Sequence, residues 1–184
     1  MDKDETWILR SDQLQCLVSP VRLDIVDHLA ARGPLSIKDV ARAIGKRPSA
    51  LYHHIDQLVE VDLVQEAGTR IVNRKQEKLY STPSRRMRLK RALSVPEHQE
   101  VMADIVAALA RQADRDFSQG QKVCSALAEG DHRNLGFFRL VAKPGSGRLA
   151  RINMLLDEIG ELMWDEADEE ASSIALTWIM APTA

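Results

Sequence analysis

Ten side chains in two neighbouring segments carry the chemistry most open to interpretation: Lys46, Arg47, Ser49, Tyr52, His53 and Gln57, then Arg70, Arg74, Lys75 and Lys78. The first group mixes two cations with hydroxyl, imidazole and amide groups. Cations attract a polyanion, and neutral donors and acceptors can read base edges in a groove of duplex DNA. The second group is purely cationic. It suits phosphates, to which it would add salt-dependent affinity with little sequence reading.

Catalytic and metal chemistry find no comparable grouping. Gly145-Ser146-Gly147 resembles a phosphate loop only superficially, because it lacks the glycine spacing and the Lys-Ser/Thr pair of a Walker loop and the third glycine of a dinucleotide fingerprint. The acidic run Asp165, Glu166, Asp168, Glu169 and Glu170 crowds what reads as a helix end without regular ligand spacing. No Gly-x-Ser-x-Gly elbow accompanies the serines. Cys16 and Cys124 stand far apart, and His28, His53, His54, His98 and His132 are scattered, giving a zinc site little support. The expectation is a protein that is not an enzyme and has no cofactor and no metal.

The two basic groups depend on the elements around them. Ser19 can cap a helix opened by Pro20, with Val21, Ile25 and Leu29 at helical spacing until Gly33-Pro34. Ser36 can cap a second helix with an apolar stripe of Ile37, Val40, Ala41 and Ile44. Gly45 permits a left-handed turn, and Pro48 can open a third helix running to about Val61. On that helix Leu51, Ile55 and Leu58 must face a core, turning Ser49, Tyr52, His53 and Asp56 outward. Strands are expected from Leu63 to Arg70 and from Glu77 to Thr82, with Ile71–Gln76 as the hairpin tip.

Two helices at a steep angle followed by a basic hairpin make a helix-turn-helix with a wing. Three stretches resemble the ArsR-like bacterial transcription regulators: Ser19-Pro20-Val21-Arg22-Leu23-Asp24-Ile25, Ser49 to Leu58 with its Tyr52-His53-His54, and Glu77-Lys78-Leu79-Tyr80. The resemblance covers about a third of the chain. It implies a dimeric repressor or activator whose Tyr-His-His segment lies on the recognition helix. Asp62 stands where such proteins often have Gly, and Asp tolerates the left-handed region. The thiol-rich motif of their metal-sensing members is absent from the sequence.

Beyond the wing, Arg85, Arg86, Arg88, Lys90 and Arg91 form a basic run that reads as either a solvated helix face or a phosphate-contacting or linker helix beside the DNA. Pro96 starts a long helix with Val101, Ile105, Ala108 and Leu109 on one stripe. Trp7, Ile8, Leu14 and Leu17, read as an N-terminal helix, can join it in a dimer interface or pack within the chain. Leu135 to Ala142 looks like a strand. Leu149, Ile152, Leu156, Ile159 and Met163 repeat at three and four, widened by Leu155 and Leu162, as in a helix. Ser173 to Ala181 alternates like a half-buried strand, so these elements together suggest a small α/β unit.

A chain of 184 residues with 45% hydrophobic content can bury one substantial core or two small ones. Its net charge of −2 is split unevenly: 17 Lys and Arg against 12 Asp and Glu up to Leu93, then 8 against 15. The first part suits a polyanion and the second would repel one. No apolar run approaches the roughly 18 residues of a membrane span, and no signal-like segment opens the sequence, so a cytoplasmic protein without membrane contact is expected.

The expected fold class is mainly α with small β (α+β). Residues 1–93 form a winged helix-turn-helix DNA-binding domain with an N-terminal helix, and residues 94–184 a helical and small α/β dimerisation or effector region. The expected function is sequence-specific regulation of transcription by a homodimer on double-stranded DNA at an inverted repeat, open to an unknown small-molecule effector. The alternative is a winged-helix protein-interaction scaffold without specific DNA binding, because fold alone does not fix function.

Overall fold

The structure is a computed structural model and describes residues 5–164 and 173–183. It is an α+β fold in which helices dominate and the sheets are small. Two compact units divide it, Met1–Gln112 with Trp178–Ala184, and Ala113–Thr177.

In the first unit, strand β1 (Glu5–Trp7) precedes helices α1 (Ser11–Leu17) and α2 (Pro20–Arg32). Pro20 opens α2 as expected, but the Ser19 side chain makes no capping bond. Gly33 ends the helix at φ 77°, donating its N–H to the Leu29 carbonyl. The two-residue strand β2 (Leu35–Ser36) leads into α3 (Ile37–Ala43), whose start is a full capping box: the Ser36 hydroxyl accepts from the Asp39 N–H, and the Asp39 carboxylate accepts from the Ser36 N–H. Gly45 takes the left-handed φ of 66° that the turn requires.

Pro48 opens a single 3-10 turn, Pro48–Ala50, and the α-helical part, α4, runs Tyr52–Glu60. Leu51, Ile55 and Leu58 are fully buried, as their spacing demands. They pack with Leu14 and Leu17 of α1, Leu23, Ile25, Val26 and Leu29 of α2, and Val40 and Ala41 of α3 in one core. Asp62 adopts the left-handed φ of 59° and ties the helix end to Arg10 at 2.8 Å.

The hairpin differs in detail from the sequence expectation. Leu63 and Val64 are buried and both donate to the Leu58 carbonyl, so they close α4 instead of starting a strand. Strands β3 (Gln65–Val72) and β4 (Lys75–Ser81) are joined by Asn73-Arg74 alone. Both residues have positive φ, 51° and 61°, which is the signature of a two-residue type I′ turn. The six-residue tip is thus a two-residue tip, because Ile71 pairs with Gln76 and Val72 with Lys75. β2 completes the sheet beside β4, giving the order β2-β4-β3.

The basic run is not a helix. Strand β5 (Arg86–Arg88) pairs parallel with β1, and Lys90–Ser94 forms a 3-10 turn. Trp7 is therefore a strand residue, flanked by the guanidinium of Arg91 at 3.8 Å from its ring centroid. Ile8, Leu14 and Leu17 are buried within the chain, which resolves their packing as intrachain. Pro96–His98 makes another 3-10 turn before the long helix α5 (Gln99–Gly120), with Ile105 and Ala108 fully buried.

Past α5, the only regular element among the described residues is α6 (Ser146–Trp164). The strands expected at Leu135–Ala142 and Ser173–Ala181 do not form in the described residues, so no small α/β unit is built there. Neither run has a partner strand to satisfy its backbone, and Phe137, Phe138 and Leu140 stay more than 80% exposed. The acidic run Asp165 to Glu170 lies outside the described residues.

Candidate nucleic-acid interface

The core fixes which side of α4 faces outward. With Leu51, Ile55 and Leu58 inside, Ser49, Tyr52, His53 and Asp56 are all exposed, and Tyr52 is 55% accessible. Lys46 and Arg47 are exposed on the turn before the helix, and neither makes an ion pair with a described residue. Exposed cations thus stand at a helix N-terminus, where free backbone N–H groups favour an anion. Asp56 sets a negative charge further along the same helix.

Gln57 belongs to a different environment. Its side-chain oxygen accepts from Arg22 Nη1 at 2.7 Å, while Arg22 Nε donates to the Cys16 carbonyl. Arg22, absent from the sequence-based set, braces α4 against α2 and the end of α1. Burial, with Arg22, His53 and Lys46 nearby, holds the His54 imidazole below its ordinary value. Its Nδ1 is buried without a hydrogen-bond partner. His53 faces outward and His54 sits half-buried beside it, so the adjacent pair splits between surface and scaffold.

The four wing cations also divide. Arg74 and Lys75 occupy the turn and the first position of β4, exposed and without an ion pair to any described residue. Lys78 Nζ lies 2.5 Å from Glu66 Oε1, and this contact raises its pKa. Arg70 is held by carboxylates on two sides: Nη2 is 2.6 Å from Asp39 Oδ2 and 3.1 Å from Glu77 Oε2. Lys38, also missed from sequence, reaches the other Glu77 oxygen at 2.6 Å. The hydrogen bonds from Lys38 and then Arg70 hold the Glu77 carboxyl below the usual carboxylate range. A signal for this was present, since strands ending at Arg70 and beginning at Glu77 place the two residues directly opposite.

The ten residues therefore form three sets. Lys46, Arg47, Ser49, Tyr52 and His53 present free groups at and after a helix start; Arg74 and Lys75 present free charge at a hairpin tip; Gln57, Arg70 and Lys78 are already engaged within the protein. Among the described residues no group of three or more His, Cys, Asp or Glu is placed to hold a metal ion. No helix of the described residues is long and apolar enough to cross a membrane.

Residues 17–66 match the family described as a helix-turn-helix domain. That span runs from the end of α1 to the start of the hairpin, so the chain carries a helix-turn-helix domain in its N-terminal part. No curated protein matches the sequence. Among solved structures, the crystal structure of RV1404 from Mycobacterium tuberculosis is 18% identical, with 88% of this chain and 78% of that chain covered at a TM-score of 0.27.

Proposed function

We propose that this protein is a sequence-specific DNA-binding transcription regulator, ArsR-like in its winged helix-turn-helix, that acts as a homodimer on an inverted-repeat operator. The observation that carries this reading is the outer face of α4. Lys46, Arg47, Ser49, Tyr52 and His53 lie free at its start, on a helix whose opposite face is locked into the core. In this reading Tyr52 and His53 approach base edges, Lys46, Arg47 and Ser49 meet edges or nearby phosphates, and Arg74 and Lys75 grip the backbone beyond the groove. Lys78 can exchange Glu66 for a phosphate, because both partners are more than half exposed and such pairs are weak in water. Gln57 acts through Arg22, keeping α4 seated.

DNA contact falls to residues 1–93, where positive charge is concentrated, and dimerisation or effector sensing to residues 94–184. A twofold arrangement would set two α4 helices about one DNA turn apart, roughly 34 Å. The apolar side chains that α6 leaves exposed also favour a second reading, a winged-helix scaffold that binds another protein. Salt-dependent titration of duplex DNA separates the roles. Replacing Tyr52 and His53 with Ala relaxes sequence preference, whereas Arg74→Ala weakens all sequences alike and flattens the salt slope by about one unit. Equal losses from both changes contradict this division, and the absence of any salt-dependent binding favours the scaffold.

A further inference from the structure

Arg70 was expected on chemical grounds to touch DNA phosphate, and its surroundings argue otherwise. It sits on β3 directly across from Glu77 on β4. Its guanidinium donates from Nη2 to Ser36 Oγ at 3.0 Å and from Nε to Glu77 Oε2 at 3.3 Å, in addition to the Asp39 contact. Asp39 Oδ2 simultaneously accepts from the Ser36 hydroxyl at 2.7 Å, and Arg42 approaches the other Asp39 oxygen at 3.5 Å. Glu77 is shared with Lys38. One planar donor fork thus joins the start of α3 to both strands of the hairpin, at the point where β2 lays Ser36 beside Leu79 of β4.

The carboxylates are far more enclosed than the cation. The Glu77 and Asp39 side chains are 10% and 18% exposed against 40% for Arg70. Turning Arg70 toward a phosphate would take one cation from each of two enclosed carboxylates, leaving Glu77 with Lys38 and Asp39 with Ser36 and the more distant Arg42, and would undo the link that joins them. Arg74 and Lys75 face no such conflict.

We infer that Arg70 is a positioning residue. Together with Asp39, Glu77 and Lys38 it forms a charge knot that sets the angle of the wing against the helix-turn-helix, and so decides whether the tip reaches the backbone while α4 occupies the groove. This inference rests on the DNA-binding reading above.

Two opposite substitutions within the knot test it. The full chain is titrated, across a range of salt, with a duplex enriched from a random pool and with a scrambled duplex of equal length. Arg70→Ala should lower affinity for the enriched duplex by roughly tenfold through misplacement of the wing. Its salt slope should fall by about two units, because Arg74 and Lys75 leave the backbone together, against the one-unit loss for Arg74→Ala. Glu77→Gln is the sharper variant. Removing an anion near DNA ought to tighten binding of any duplex if charge alone matters, whereas positioning predicts weaker binding to the enriched and the scrambled duplex alike, because the displaced wing contacts carry little sequence information. Hydroxyl-radical footprints should lose the outer, wing-proximal protection in both variants and retain the central protection, a change that mere loss of folded protein would not produce. A slope that is unchanged or drops by only one unit for Arg70→Ala, or tighter binding of both duplexes by Glu77→Gln, overturns the inference. Failure of the unmodified chain to bind any duplex removes the underlying reading, and is seen before any variant is made.

Discussion

Helix α4 and helix α6 are both patterned by apolar residues at spacings of three and four, and they end in opposite circumstances. At and within α4 every stripe residue is enclosed: Leu51 just before the helix, and Ile55 and Leu58 on it, are at most 1% exposed. In α6 no residue is buried, and Leu149, Ile152, Ile159 and Met163 remain between 38% and 49% exposed. The difference lies in the partners. α4 meets α1, α2, α3 and the base of a hairpin, each of which brings its own apolar face. Apart from the last turns of α5, the described residues of 113–177 contain no regular element besides α6 itself. Periodicity states which face wants burial, and only tertiary partners supply it.

Substitutions in the two helices test this contrast. The largest effect should come from Leu58→Ala, which opens a cavity in a closed core and should cost about 2–5 kcal/mol. Leu162→Ala on the exposed side of α6 should stay within about 0.5 kcal/mol. Urea unfolding of the full chain, followed by far-ultraviolet circular dichroism, compares the two. Equal losses would mean that α6 is covered as thoroughly as α4.

Ser36→Ala comes next. It removes the cap of α3 and one donor to Asp39, and should cost about 1 kcal/mol. The same unfolding measurement checks it, with Ser84→Ala, whose hydroxyl donates to the Arg86 carbonyl outside any helix cap, as a milder reference.

A smaller, pH-dependent effect should come from His28 on α2. Burial, with Arg32 adding to it, lowers the pKa of this imidazole below the ordinary 6.5. The folded state therefore binds the proton less readily than the unfolded chain does. The sign follows: this contribution is fully present above about pH 6.5 and is lost as pH falls through the folded value. Melting temperatures measured downward from neutral pH should fall less steeply in His28→Gln. An unchanged slope would contradict the assignment.

Arg74→Gly should change DNA affinity more than stability. Glycine relieves a left-handed backbone but adds freedom to the unfolded chain, so stability should shift by no more than about 1 kcal/mol. DNA affinity should nonetheless drop, because the tip charge is gone.

Much of the N-terminal part was legible in the sequence because local signals and burial agree there. Ser36, Gly45, Pro48 and the Leu51-Ile55-Leu58 stripe each specify one local geometry, and all point to the same core. Trp7 and the basic run were misread as helical because β1 and β5 are only three residues each and exist by pairing across some eighty positions, which no local pattern encodes. Leu135–Ala142 failed for the converse reason: strand-like composition without a partner does not make a strand. In the site, the exposure of Tyr52 and His53 follows from helical periodicity. The engagement of Arg70 and Gln57 does not, since it depends on Asp39 and Arg22 arriving from other helices.

In the proposed function the face led by Lys46, Arg47, Tyr52 and His53 reads DNA in a twofold arrangement. Selection of bound duplexes from a random pool by the purified full chain tests it most directly. Enrichment of one inverted repeat is expected, with half-sites about one helical turn apart. No enrichment at low salt would contradict it.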